Sequence, residues 1–217
     1  MRAYIRIIGI CWLPLSTSAS VVFVDQRAAG NGDGTSWTNA FTDLPAALRS
    51  ASPGDEIWIA RGEYVPSSTG QRDVAFRLKD GLLLYGGFAG QEVRLEQRDW
   101  LSNQTTLSGN IGDSLRRLDN SYRIVEAHDL STPARIDGFT IMAARNDRVG
   151  IPGQGGGLHV VNCSVTCANC RFLRNVAFGG GAIWIENGVG IIDRSEIKGN
   201  KQNAVVGYSD SMLLLHD

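Results

Sequence analysis

The sequence predicts an all-β chain that folds as a parallel β-helix, a stack of coils built from short strands. When the chain is shifted by 25 residues, segment 155–175 falls on segment 180–200 without a gap. Each unit holds short runs in which apolar and polar side chains alternate, separated by Gly and Asn, and such runs fit strands better than helices. One unit cannot bury its own apolar face, whereas stacked units can, and this favours the β-helix.

The repeat contains one irregular coil and extends upstream. Segment 136–141 matches segment 167–172 at an offset of 31. The extra residues fall in segment 145–154, which is polar, contains Gly and Pro, and is therefore predicted to be a loop. The 25-residue step also relates three aliphatic residues upstream, Ile57, Leu82 and Leu107. The coils are therefore predicted to occupy residues 57–217.

Alternation along each run predicts which side chains point into the stack. Leu158 and Ile183 are expected to be neighbours on adjacent coils. A second inward row is expected to contain Phe172, Ile141 and Ile197. Asn175 and Asn200 are expected at a corner with left-handed backbone, which Asn tolerates, and with side chains that hydrogen-bond to the next coil.

Two shorter segments precede the coils. Residues 1–20 carry two Arg, a short apolar run and then small residues, which is the pattern of a secretory signal peptide. The apolar run is too short to span a bilayer core of about 30 Å. Residues 21–56 are predicted to form an N-terminal cap, a strand followed by a helix over 38–52 with Thr42 as its N-cap. This cap is expected to cover the edge of the first coil.

Composition and the two ends limit the classes of partner. A content of 43% hydrophobic and 20% charged residues excludes a disordered chain. The net charge of −1 gives no basic field for nucleic acid, and no later stretch is long and apolar enough to span a membrane. The apolar segment 212–215 lacks a polar cap, so we expect either that the chain is a fragment of a longer solenoid or that residues 203–215 form a poorly protected last coil.

Three cysteines remain after the predicted signal peptide, at positions 163, 167 and 170. Their spacing admits a metal site, one disulfide or a structural role. Cys167 and Cys170 fall in inward rows, which favours small core side chains. Cys163 falls in a turn and is expected to be the exposed thiol.

Catalysis on this scaffold is the alternative hypothesis. A polysaccharide lyase of this architecture needs Ca²⁺ held by clustered carboxylates, and a glycoside hydrolase needs paired acids on one outer face. No acid recurs on an outward row at the 25-residue step, and Asp55 and Asp80, which do recur, precede strands beside Gly as turn residues do. The sequence therefore predicts no catalytic residue and no metal ligand. No cofactor is expected, except Ca²⁺ under the lyase alternative.

One outward face remains as a candidate binding site. Alternation places His159 and Trp184 on this face, one above the other, with Glu186 near them. An exposed indole beside polar groups can hold a sugar ring. The alternative is that Trp184 only covers a groove or lies under the 145–154 loop.

Several motifs give the chain a family resemblance. Segments 33–44 (DGTSWTNAFTDL), 51–60 (ASPGDEIWIA), 62–64 (GEY), 84–90 (LYGGFAG) and 98–100 (RDW) resemble the N-terminal part of bacterial secreted right-handed parallel β-helix proteins. Downstream, GGAI at 180–183 and FLRN at 172–175 are similar to the repeats of polymorphic outer membrane proteins of the chlamydial type.

This resemblance implies a right-handed, pectin-lyase-like β-helix that is exported to the cell surface or secreted. It implies a passenger role, often in adhesion, with an extracellular glycan or a surface protein as partner. Proteins of this kind usually run longer and end in a C-terminal anchor or sorting domain, so the resemblance implies that such a domain is missing here. The family defines no catalytic residues, so the resemblance assigns none to this chain.

Overall fold

The computed structural model describes residues 19–113, 115–150 and 153–216. Short strands dominate these residues, together with one α-helix and a single turn of 3-10 helix at Leu95–Gln97. In chain order the strands and the α-helix are β1 (Val21–Val24), α1 (Leu44–Ser50), β2 (Glu56–Ala60), β3 (Gly62–Tyr64), β4 (Phe76–Arg77), β5 (Leu83–Phe88), β6 (Thr105–Ser108), β7 (Val125–His128), β8 (Ala134–Asp137), β9 (Phe139–Met142), β10 (Arg145–Asn146), β11 (Leu158–Val161), β12 (Ser164–Ala168), β13 (Arg171–Leu173), β14 (Val176–Ala177), β15 (Ile183–Glu186), β16 (Val189–Asp193), β17 (Glu196–Lys198), β18 (Val205–Tyr208) and β19 (Met212–His216).

The predicted signal peptide, residues 1–20, lies outside the described residues except for Ala19 and Ser20. Across the described part of the chain, no helix has the length and apolar character needed to cross a bilayer.

Most strands form three large parallel sheets that the chain visits in a fixed order, and β10 and β14 form a small fourth sheet. Sheet A has the strand order β1-β2-β5-β8-β12-β16-β19, sheet B the order β17-β13-β9-β6-β3, and sheet C the order β18-β15-β11-β7-β4. From β2 to β19 the chain passes from sheet A to B to C and back to A, and each strand lies beside the strand of the preceding pass. The expectation of an all-β fold is therefore confirmed, with parallel sheets joined by crossovers rather than hairpins.

The strand register confirms the 25-residue step in the C-terminal half. Leu158 pairs with Ile183 and Cys167 pairs with Ile192. The offset of 31 is also confirmed, because Cys167 pairs with Ile136 on its other side. The predicted loop 145–154 differs in part, since Arg145–Asn146 form β10, which pairs with β14.

The upstream step was wrong. Ile57 pairs with Leu84, not Leu82, and Leu107 lies in sheet B, between Tyr64 and Ile141. Leu82 and Leu84 are both fully buried. A shift of two residues keeps a strand's side chains on the same face, so alternation alone cannot choose between the two registers.

The core is one cluster of apolar side chains that runs through the successive passes, from Val24 to Ile192. The predicted inward row is confirmed: Phe172 and Ile141 are fully buried, and Ile197 packs against the same cluster.

Asn175 lies at a corner beside this core and is fully buried. Its Oδ1 accepts a hydrogen bond from the backbone N–H of Ala144 at 3.0 Å, and its Nδ2 donates to the carbonyl oxygen of Ile141 at 3.0 Å. The expected hydrogen bond to the next coil is present, since Nδ2 also lies 3.1 Å from Oδ1 of Asn200. The expected left-handed backbone falls one residue earlier, at Arg174 and Gly199, and this aims the Asn side chains into the stack.

The N-terminal helix is shorter than predicted. α1 begins at Leu44, with Asp43 rather than Thr42 at its N-cap, and ends at Ser50. The preceding segment is held extended because the backbone of Phe41 exchanges hydrogen bonds with Phe23 and Asp25. Tertiary pairing therefore overrides the helical spacing before residue 44.

All three described cysteines are free thiols. Cys167 and Cys170 are 0% and 1% exposed, as predicted for core side chains. The expectation that Cys163 is exposed was wrong, because it is 6% exposed and packs at the edge of the core cluster.

Candidate functional site

The outer face of sheet C carries two rows of side chains, each in register across successive strands. Because residues two apart on a strand point to the same side, the rows lie next to each other. We call them the inner row and the outer row. The inner row contains Arg77, Glu126, His159, Trp184 and Val206. The outer row contains His128, Val161, Glu186 and Tyr208.

The inner row is covered at two of its members. His159 and Trp184 are register partners and lie outside the main core cluster, as expected for outward side chains. Of the two alternatives for Trp184, the structure excludes the exposed indole and bears out the packed one, because Trp184 is 5% and His159 is 6% exposed. Gly155 and Gly180, with φ of 66° and 63°, hold the chain against the two side chains. A Cβ added at Gly155 would lie 2.6 Å from Cδ2 of His159, and one at Gly180 would lie 3.0 Å from Cβ of Trp184.

Tyr208 supplies the exposed aromatic surface of this face. Its ring stacks on Trp184, with centroids 5.8 Å apart and planes inclined by 24°. Tyr208 is 56% exposed. The indole Nε1–H of Trp184 is buried and has no acceptor among the described residues. The accessible ring of this face is therefore that of Tyr208, which the 25-residue repeat does not predict because Tyr208 lies 22 residues after its partner Glu186.

Glu126 is the charged centre of the inner row. Arg77 donates a hydrogen bond to its Oε1 at 2.7 Å, and Nε2 of His128 lies 3.6 Å from its Oε2. Burial raises the pKa of Glu126, but the hydrogen bonds from His128 and Arg77 outweigh it and bring the pKa down to about 2. Glu126 is therefore ionised at neutral pH.

His159 is neutral at the same pH. Burial is the largest cause and, together with the neighbouring Arg123 and His128, lowers its pKa to about 3, while Glu126 acts in the opposite direction. Its Nδ1 lies 3.4 Å from Nε2 of His128, with the ring centroids 5.1 Å apart.

The structure places all three sequence-predicted residues on one face. His159 and Trp184 lie in the inner row, and Glu186 lies in the outer row, half-buried beside Tyr208. Glu126, His128 and Tyr208 were not predicted as members. Glu126 and His128 pair with residues of β11 that lie 33 positions later, and Tyr208 pairs with Glu186, 22 positions earlier. The 25-residue step could therefore not find them. A search for aromatic or charged residues at every outward strand position would have found Tyr208.

Three acids elsewhere form hydrogen bonds or ion pairs that hold the fold. Asp55 accepts hydrogen bonds from Ser20 and Ser52, and Asp80 accepts them from Ser131 and Thr132, so their prediction as turn residues is confirmed. Asp137 pairs with Arg98 at 2.7 Å and with Arg135. Among the described residues, no three His, Cys, Asp or Glu side chains are grouped so as to hold a metal ion.

This face offers a ring on an apolar base, a half-buried carboxylate and an imidazole, all held by strands rather than loops. Such a set suits binding, because each group is positioned by the sheet register. No protein-family model matches this chain, and neither a curated protein nor a solved structure matches it.

Proposed function

We propose that the chain is an exported, non-catalytic segment of a cell-surface, adhesin-like protein that folds as a right-handed parallel β-helix of the pectin-lyase-like type. The cyclic order of sheets A, B and C and the parallel pairing of each strand with that of the previous pass support this architecture. Crossovers between parallel strands of one sheet are almost always right-handed, which supports the handedness. The pattern of residues 1–20 supports export.

The partner is an extracellular glycan or a surface protein, and one observation favours the glycan. Tyr208 presents an exposed ring that rests on Trp184, next to Glu186 in the same row. The ring offers an apolar platform for the C–H face of a sugar, while the carboxylate accepts hydrogen bonds from hydroxyl groups. A rigid platform of this kind loses little entropy when it binds.

A glycan array tests this function. We expect the mature protein to bind one or more immobilised glycans, and Tyr208→Ala to weaken that binding at least tenfold, because the stacking surface is removed. Tyr208→Phe keeps the ring and should retain most of the binding. Leu101→Ala removes a side chain that is 75% exposed but lies outside both rows, and it serves as the matched control.

Two results would contradict the proposal. Equal binding by wild type and Tyr208→Ala would remove sheet C as the glycan-binding face. Release of unsaturated uronate from polygalacturonate in the presence of Ca²⁺ would contradict the non-catalytic function and support the lyase alternative.

A further inference from the structure

A groove of about 550 Å³ lies beside the corner at which the chain leaves sheet B, away from the two rows on sheet C. This volume falls within the range of roughly 300–1,000 Å³ that is usual for ligand sites. The groove crosses several passes of the chain, because its lining includes Glu63 of β3, Ser108 of β6 and Met142 of β9. Its cationic side chains are Arg117, Arg145, Arg174 and Lys201.

The cations recur because neighbouring strands are in register. Arg145 pairs with Val176, which forms a bridge to Lys201 on the next pass. These Cα atoms are separated by about 4.8 Å per strand, so Arg145 and Lys201 stand roughly 10 Å apart along the stack. Arg174 lies two residues before Val176 on the same edge. The groove therefore presents positive charge at repeated intervals to an extended ligand.

Most of this charge is unpaired. Within the described part of the chain, Arg117, Arg174 and Lys201 take part in no ion pair, whereas Arg145 lies 3.4 Å from Asp147. Glu63 is the only acid that lines the groove among these residues. The whole chain carries a net charge of −1, so this concentration of cations is a local feature that attracts anions.

Asn120 and Ala143 form part of the polar wall of the groove. Asn120 lines the groove, is 4% exposed, and donates from Nδ2 to the carbonyl oxygen of Ala143, which also lines it, at 2.6 Å. This hydrogen bond ties residue 120 to the end of β9 and holds that side of the groove in place.

We propose that this groove binds an acidic oligosaccharide. Carboxylate or sulfate groups of the sugar meet Arg174, Lys201 and Arg117. The apolar side chains of Met142 and Val176 contact the C–H faces of the rings. A simple anion satisfies a cation but leaves the apolar side chains without a contact, and a neutral sugar leaves the cations without a partner. The site is separate from Tyr208 and goes beyond the function proposed for sheet C.

Calorimetric titration tests the proposal with three acidic probes and a neutral one. The acidic probes are tetragalacturonate, a heparin-derived tetrasaccharide and sialyllactose, and the neutral probe is carboxyl-reduced tetragalacturonate. We expect the mature protein to bind at least one acidic probe, and its affinity to fall with added salt because part of the attraction is between exposed charges. The neutral counterpart should bind at least tenfold more weakly.

The variant Arg174→Glu/Lys201→Glu should lose at least tenfold in affinity for the acidic probe. Both side chains are exposed, so the fold should be retained, as far-UV circular dichroism will check. The control Arg49→Glu/Arg116→Glu makes the same change in net charge at exposed positions that do not line the groove, and it should bind as wild type does.

Three outcomes would overturn the proposal: no binding of any acidic probe, equal binding of the neutral probe, or equal losses in the groove variant and the control. Tyr208→Ala should leave acidic-probe binding unchanged. A glycan array on which only neutral glycans bind, in a way that depends on Tyr208, would therefore overturn this inference while supporting the function proposed for sheet C.

Discussion

Acidification should destabilise the protein through His159, well before the carboxylates titrate. The ring is buried against Arg123, His128 and Glu126, and its pKa is lowered to about 3 from an ordinary value of 6.5. The folded protein therefore keeps the ring neutral while the unfolded chain takes up a proton below pH 6.5. The stability that comes from the neutral ring is fully present above pH 6.5 and is lost as the pH falls towards 3.

The size of the effect follows from the two pKa values. Between pH 7 and pH 5 the unfolded chain becomes almost fully protonated at this position and the folded protein does not. At about 1.4 kcal/mol per pH unit, the free energy of unfolding should fall by about 2 kcal/mol over this interval. Glu126, with its pKa lowered from 4.5 to about 2, contributes its own loss below pH 4.5, so it does not contribute to the change between pH 7 and pH 5.

Urea unfolding followed by tryptophan fluorescence at pH 7, 6 and 5 measures this loss. His159→Gln removes the titrating group and leaves His128 and His216 in place, so the difference in slope between wild type and variant belongs to His159. Equal slopes for the two proteins would refute the reasoning. An NMR titration that places the imidazole pKa of His159 above 6 would refute its premise.

Three further changes test the packing of the stack, each by urea unfolding. Phe172→Ala should cost about 3–5 kcal/mol, because the ring is fully buried in the inward row, and a loss below about 1 kcal/mol would contradict that row. Asn175→Ala should cost about 2–4 kcal/mol, because it leaves the N–H of Ala144 and the carbonyl oxygen of Ile141 without their hydrogen-bond partner. An unchanged free energy of unfolding would contradict the role of this corner. Asp137→Asn should cost about 3–5 kcal/mol, because the buried guanidinium of Arg98 loses its charged partner, and a stability equal to wild type would show that Arg98 is otherwise compensated.

The sequence pattern predicted which side chains point inward more reliably than it predicted which residues pair between strands. The 25-residue step predicted the pairing of Leu158 with Ile183 because both coils have the same length there. Upstream, the loops between strands differ in length, so Ile57 pairs with Leu84 at an offset of 27 and not with Leu82 at an offset of 25. Since both leucines alternate with the same phase, only the lengths of the intervening loops decide between them.

Exposure was harder to predict than direction, because it depends on what the neighbouring loop covers. Trp184 points away from the core, as alternation requires, yet the chain at Gly180 closes over it. Cys163 lies between two strands, where a turn is expected, yet it is buried. In both cases the local pattern gives the orientation, while the packing of the next pass of chain determines the accessibility.

The left-handed bend before each strand of sheet C separates the covered row from the accessible one. Gly155, Gly180 and Gln202 occupy this bend in three successive passes, with φ of 66°, 63° and 63°. The residue four positions later lies under the bend, as His159 and Trp184 do. The residue six positions later lies beyond its reach, and there Tyr208 is 56% exposed. At the same sixth position Val161 and Glu186 are half-buried, so Tyr208 is where this row is most open. Under the proposed binding function, a partner contacts the residues at this sixth position, and the aromatic residues of the inner row support them from below.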